Sequence, residues 1–172
     1  GQTVFENSSH MILSEGLAYD KCLVGVVTDI GDIDSLSEYY IDDADRLFNV
    51  VRTQIDVILH HGTAVLNAAD PQVVAMAALC DGKVIFYGLD AQLDALATHR
   101  ASGERVVFVQ DGNIVMIRDM NEVARIPLES LKRSKAEQPE MVMAAVAAAW
   151  ALDIAPELIG AGLRTFDSTP KK

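Results

Sequence analysis

The sequence lacks a basic patch: 14 lysines and arginines stand against 25 aspartates and glutamates, for a net charge of −11, and the chain closes on Lys171-Lys172. Nucleic acid is recognised first through a positive footprint, so no nucleic-acid partner is expected. An acidic surface serves solubility; drawing in a cationic small molecule such as arginine is its lesser use. Cysteine is scarce too. Cys22 and Cys80 lie far apart in apolar contexts with no CxxC or histidine spacing, which argues against a disulfide framework and a zinc site and predicts buried free thiols in a reducing compartment. The longest apolar tract, MVMAAVAAAWAL, falls short of the roughly 20 residues a membrane span needs. With no signal-peptide pattern either, the expectation is a soluble, cytoplasmic protein with no membrane partner. Finally, neither G-x-x-x-x-G-K-[ST] nor a post-strand G-x-G-x-x-G is present, so the chain carries no phosphate loop of its own.

What is present is enough for a core: half of the 172 residues are hydrophobic. Thr3-Val4-Phe5 reads as a short strand, followed by Ser8 or Ser9 as an N-cap for Met11-Ile12-Leu13 and by Gly16 as a stop. CLVGVVTDI is a near-continuous apolar run, the pattern of a parallel strand buried on both faces. Asp42-Asp43-Ala44-Asp45 opens a helix whose apolar positions are Leu47, Phe48, Val51 and Ile55, with the acids at its positive end. DVIL and TAVLN read as two short strands joined by His60-His61-Gly62, a turn whose histidines are solvated for want of a third ligand.

PQVVAMAALC reads as a helix with Pro71 at its first position and Asp81-Gly82 as its stop, and KVIFYG as the next buried strand. A short helix over DAQLDALATHR precedes RVVFVQDGNIVMIRD, two strands joined through Asp111-Gly112-Asn113 and expected at a sheet edge. Two helices close the chain, from Pro139 through Trp150 and from Pro156 to about Phe166, with Gly160 and Gly162 as close-packing positions. The layout is α/β, a mostly parallel three-layer sheet with flanking helices plus an antiparallel hairpin.

Polar residues gather at three predicted strand ends: Glu6 with Ser8 and Ser9, Thr28-Asp29 with Asp32 and Asp34, and Asn67 with Asp70. The C-terminal edge of an open α/β sheet is where ligands bind. Glu6 there could hold Mg²⁺, which takes one or two carboxylates plus phosphate oxygens and water, or it could be a surface residue in a capping arrangement. Asn67 and Asp70 before Pro71 equally suit an Asx turn entering a helix.

Order resolves what single residues leave open. FENSSHMILSEGLAYDKCLVGVVTDIGDIDSL, DDADRLFNVVRTQIDVIL, TAVLNAADP, DGKVIFYG and MAAVAAAWALDIAPELIGAGLRTF together resemble the Mur-ligase family, over essentially the whole chain. SEGLAYDKC and YYIDDADRLFNVVRTQ look like the branch that builds cyanophycin, not the peptidoglycan ligases. The resemblance implies ligation driven by ATP and Mg²⁺, with arginine joined through an acyl phosphate to the side-chain carboxylate of an aspartate in a poly-aspartate chain. It places Glu6 as the Mg²⁺-binding glutamate of the family's E-x-S-S motif, with Ser8 and Ser9 beside it near the acceptor carboxylate. Asn67 and Asp70 match the N-A-D-D motif, the asparagine lying near the adenine.

The sequence also departs from the family. Ser35 stands where the peptidoglycan ligases have a second-metal histidine, Ala44 where the family has its carbamylated lysine, Ala69 for the first aspartate of N-A-D-D, and Met141 for a helix asparagine. The alternative implied is a degenerate Mur-like module acting as a scaffold or oligomerisation surface without catalysis. Residues 1–172 are expected to form one domain, the later part of a Mur-like central ATPase domain. On that expectation the phosphate loop and the C-terminal domain lie outside the chain, which is inactive alone, and an unpaired sheet edge makes it a homo-oligomer.

Overall fold

The structure, a computed structural model, describes residues 2–41 and 43–166. Asp42 as a helix opener, the side chains of Asp34 and Ser35, and Lys171-Lys172 therefore lie outside the described residues. The chain divides into two compact units, Gly1–Val84 and Ile85–Lys172.

In the first unit, helix α1 (Ser9–Glu15) is capped by Ser8, whose Oγ accepts from the Met11 amide at 3.2 Å, and ends at Gly16, which adopts φ 74°. Strand β1 (Cys22–Val27) follows, then a 3-10 turn and helix α2 (Ala44–Asp56), where the Asp43 carboxylate accepts from the Arg46 amide at 2.7 Å. Leu47, Val51 and Ile55 form the buried stripe of α2, the spacing its sequence predicts. Strand β2 (Ile58–Asn67) runs parallel to β1. Helix α3 (Pro71–Ala75) starts on Asp70, whose Oδ1 accepts from the amides of Gln72 and Val73, and passes into a 3-10 turn over Met76–Leu79.

Two expectations change here. Thr3-Val4-Phe5 is not a strand: Val4 is 93 % exposed and Phe5 48 %, and the segment has no ladder partner among the described residues. β-branched residues favour a strand only where a neighbouring strand completes the pairing. His60-His61-Gly62 is not a turn between two strands but an interruption inside β2. The register steps from Cys22↔Ile58 to Val24↔Thr63, so β2 carries extra residues opposite Leu23, a bulge that leaves both histidines exposed with rings 4.9 Å apart.

Strand β3 (Lys83–Gly88) begins in the first unit and ends in the second. The second unit adds helix α4 (Asp94–Ala101) and strand β4 (Val106–Gln110), which is parallel to β3, then β5 (Asn113–Arg118) and β6 (Asn121–Pro127), each antiparallel to the strand before it. The strand order is β1-β2-β3-β4-β5-β6, a mixed sheet of six strands with flanking helices. The β4–β5 hairpin turns on Asp111 and Gly112 at φ 50° and 73°, the paired positive angles of a type I′ turn. It is not at the sheet edge, because β6 pairs along β5 after a second tight turn at Asp119-Met120.

Helices α5 (Arg133–Ala136), α6 (Pro139–Ala151) and α7 (Pro156–Thr165) complete the unit. α6 buries Val142, Met143, Val146, Ala147 and Trp150, and the Arg105 guanidinium lies 5.2 Å over the Trp150 ring while donating to its carbonyl at 3.0 Å. Burial pulls the Arg105 pKa down from its ordinary value, and nearby Asp153 opposes that shift. Gly160 is buried as expected, whereas Gly162 is exposed and an added Cβ there would meet nothing within 4 Å, so it is not a close-packing position.

Candidate functional site

Of the polar residues singled out in the sequence, Ser9, Thr28, Asp29 and Asn67 meet at the loop that leaves β1. At its start, the Thr28 carbonyl accepts from Asn67 Nδ2 at 3.0 Å, tying the C-terminal ends of β1 and β2 together. Two residues later the Ile30 carbonyl accepts from Ser9 Oγ at 3.3 Å, which brings the start of α1 to the same loop. Asp29 shapes the loop between them, its two carboxylate oxygens accepting from Thr28 Oγ1 at 2.9 Å and from the Gly31 amide at 2.9 Å. Gly31 is required there: its φ is 84°, and an added Cβ would sit 3.3 Å from Ser9 Oγ.

Glu6 lies three residues before Ser9, so its backbone is within about 11 Å of Ser9. Its carboxylate is exposed and has no hydrogen-bond or ion-pair partner among the described residues. Its neighbours are held. The Phe5 ring packs 5.3 Å from the Tyr19 ring, and Asn7 Nδ2 donates to Tyr19 Oη at 2.8 Å and to Gln54 Oε1 at 3.5 Å. Burial and the nearby Cys22 thiol raise the Tyr19 hydroxyl pKa above its ordinary value, so the hydroxyl is neutral at physiological pH.

The other sequence candidates hold the backbone. Ser8 is spent on the α1 cap, and Asp70 on the start of α3. Asn67 Oδ1 accepts from the Ala69 amide at 3.0 Å, the Asx turn that its sequence context allowed, while its amide reaches back to Thr28. Sequence reasoning missed Tyr19 and Gln54, because neither carries a motif and Gln54 meets Asn7 across 47 positions of sequence. Cys22 and Cys80 are free as expected but half-buried, not buried; burial, and then Cys80, push the Cys22 thiol up.

Magnesium can be tested against these residues. No group of three or more His, Cys, Asp or Glu side chains able to hold a metal stands among the described residues. A dedicated all-protein cage is therefore absent from them, and the fit is to an ion held mainly by phosphate and water with one carboxylate from the chain. Glu6, exposed and with no partner among the described residues, has the chemistry such a ligand would need.

Comparison with known proteins shows what the chain is similar to. A cyanophycin synthetase from Synechocystis is 31% identical over 177 residues, covering 98% of this chain, and one from Nostoc is 29% identical over 171 residues, covering 95%. The chain resembles cyanophycin synthetase along nearly its whole length. It spans 20% and 18% of those two relatives, about a fifth of each. A UDP-N-acetylmuramate–L-alanine ligase from Xylella fastidiosa is 32% identical over 145 residues, covering 84% of this chain and 28% of that ligase. No family model matches.

The fold has a counterpart among solved structures. The crystal structure of a UDP-N-acetylmuramate:L-alanyl-gamma-D-glutamyl-meso-diaminopimelate ligase from Neisseria superposes with a TM-score of 0.50 at 13% identity, over 75% of this chain and 36% of that one. At that identity the likeness concerns architecture alone.

Proposed function

We propose that the chain is part of an ATP-dependent ligase that joins arginine to the side-chain carboxylate of an aspartate in a poly-aspartate chain. The kinship with cyanophycin synthetase and Mur-type ligases supports the reaction class. The observation that carries the reading is the shared loop. Asn67 and Ser9 both bond to the Thr28–Ile30 segment beyond β1, and Glu6 lies three residues before Ser9, which supports a role for its carboxylate at this edge.

In the proposed chemistry an aspartate carboxylate oxygen attacks the γ-phosphorus of ATP and ADP leaves, giving an acyl phosphate. The arginine amine then attacks the carbonyl carbon, the carbon–oxygen bond to phosphate breaks, and the amine loses a proton. Bound magnesium would neutralise charge on the phosphates; on this reading Glu6 would hold the ion, Ser8 and Ser9 would border the acceptor carboxylate, and Asn67 with Asp70 would shape the adenine end. The rest of the machinery, including a phosphate loop, belongs to the full-length protein, and a cytoplasmic setting supplies the ATP. The test is incorporation of labelled arginine into a poly-aspartate primer by the full-length protein. Incorporation should require ATP and Mg²⁺ and release one phosphate per arginine; ATP-independent or absent incorporation removes the ligase reading.

The sequence departures favour a second reading. Ala69 and Met141 occupy motif positions with a methyl that neither donates nor accepts and a thioether that accepts only weakly, and Ala69 contributes only its amide, to Asn67. A scaffold module without catalysis would keep the fold and lose the ligation, which the same assay separates.

The exposed edge of the sheet supports self-association as part of this reading. β1 ends the strand order, carries no charged residue over Cys22–Val27, and leaves Leu23 47 % exposed. Edge strands that avoid pairing usually carry charge, proline or a bulge of their own. Sedimentation of the 172-residue chain should show reversible self-association that Leu23→Lys weakens by about tenfold; a monomer at all concentrations would remove this part of the proposal.

A further inference from the structure

We infer that Tyr19 is a positioning residue for Glu6, the side chain that fixes where this carboxylate meets the metal–phosphate group. The inference rests on the reading of Glu6 given above. Among the described residues Glu6 sits in a segment with no strand ladder, and the following helix α1 buries none of its residues, so neither backbone pairing nor burial in the core locates it. Both of its chain neighbours instead go to one side chain. Phe5 lays its ring 5.3 Å from the Tyr19 ring, and Asn7 donates to the Tyr19 hydroxyl at 2.8 Å.

Tyr19 can act as an anchor because its own place is fixed. It lies between the Gly16 stop of α1 and the first residue of β1, Cys22, whose amide donates to the Val57 carbonyl at 3.0 Å. The side chain is half-buried. Gln54, on α2, adds a longer contact to Asn7 at 3.5 Å, so the clamp on Glu6 is referred to both β1 and α2. A ligand side chain works only when its supports hold it within about 0.5 Å of the productive position, and here the supports act on residues either side of the ligand and leave its carboxylate free.

The test uses the full-length protein and the variants Tyr19→Phe and Asn7→Ala. Phenylalanine keeps the ring contact with Phe5 and removes only the oxygen that Asn7 reaches. Two readouts are taken: the Mg²⁺ concentration for half-maximal arginine incorporation, and the dissociation constant for Mn²⁺ in the presence of a non-hydrolysable ATP analogue, followed by electron paramagnetic resonance. Tyr19→Phe should raise both about fivefold, the effect of one net hydrogen bond, with kcat at saturating Mg²⁺ and the melting temperature unchanged.

Asn7→Ala should do the same, and the double variant should stay near fivefold because the two side chains form one contact. Unchanged metal affinity in Tyr19→Phe, alongside loss of metal affinity in Glu6→Ala, overturns the positioning role and leaves Glu6 as ligand. A lowered melting temperature with unchanged metal affinity likewise reduces Tyr19 to a structural residue. If Glu6→Ala itself leaves metal affinity intact, the reading of Glu6 fails and the inference falls with it.

Discussion

Glu6→Ala should lower arginine incorporation by the full-length protein about 100-fold or more, with no change in melting temperature. The two halves of that expectation have separate causes. On the proposed reading Glu6 would supply the carboxylate that holds magnesium, so removing it would withdraw stabilisation where charge develops, and losses of single electrostatic contacts of this kind are about 10²–10³-fold. Stability is untouched because the Glu6 side chain is exposed and makes no hydrogen bond or ion pair among the described residues. Glu6→Gln should recover only a minor part of the loss, since a neutral amide oxygen is a weak ligand for a hard cation. Incorporation by Glu6→Ala within twofold of the parent, at limiting Mg²⁺, would take the carboxylate out of the mechanism.

Gly82→Ala should destabilise the first unit by about 3 kcal/mol, the upper range for overpacking a closed site. A Cβ built on Gly82 falls 2.2 Å from the Gly62 carbonyl oxygen, 2.9 Å from its carbon and 3.1 Å from the Leu59 oxygen, all backbone atoms. A flexible side chain could swing aside; a backbone carbonyl inside the β2 bulge cannot without disturbing the ladder to β1. Gly62 is boxed in the same way, its own added Cβ meeting the Leu23 carbonyl oxygen at 2.6 Å.

Gly162→Ala supplies the contrast. With nothing within 4 Å and an ordinary place in α7, it should stabilise by about 0.5–1 kcal/mol through helix propensity. Urea unfolding, with hydrogen exchange of the Ala64–Leu66 amides reporting the first unit, measures both. A wild-type midpoint for Gly82→Ala would mean that the approach of Gly82 to Gly62 is not close-packed in solution.

Which sequence expectations hold depends on how far along the chain each element's cause lies. Ser8, Asp43 and Asp70 were legible as helix starts because a cap acts over two or three residues and needs nothing distant, and each side chain is found accepting from the predicted helix. Asp111-Gly112 was legible as a hairpin for the same reason. β6 was missed because its entry turn, Asp119-Met120, adopts φ 51° and 61° without the glycine that announces such a turn. His60-His61-Gly62 looked like a turn because glycine beside polar residues usually is one, and only the pairing with β1 shows a strand with extra residues.

What the chain's own sequence determined is the set of elements with local causes: capped helices, apolar strands, the α/β alternation, and the order of motifs that gives the kinship. Tertiary structure alone decided that Thr3–Phe5 has no ladder among the described residues, that Asn67 reaches Thr28 across 39 positions, and that Tyr19 holds both neighbours of Glu6. The physical reason is range. Caps and turns are fixed by dihedral preference and hydrogen bonds within a few residues, whereas strand pairing and side-chain clamps exist only once distant segments share a surface, and no short window of sequence records which segments those are.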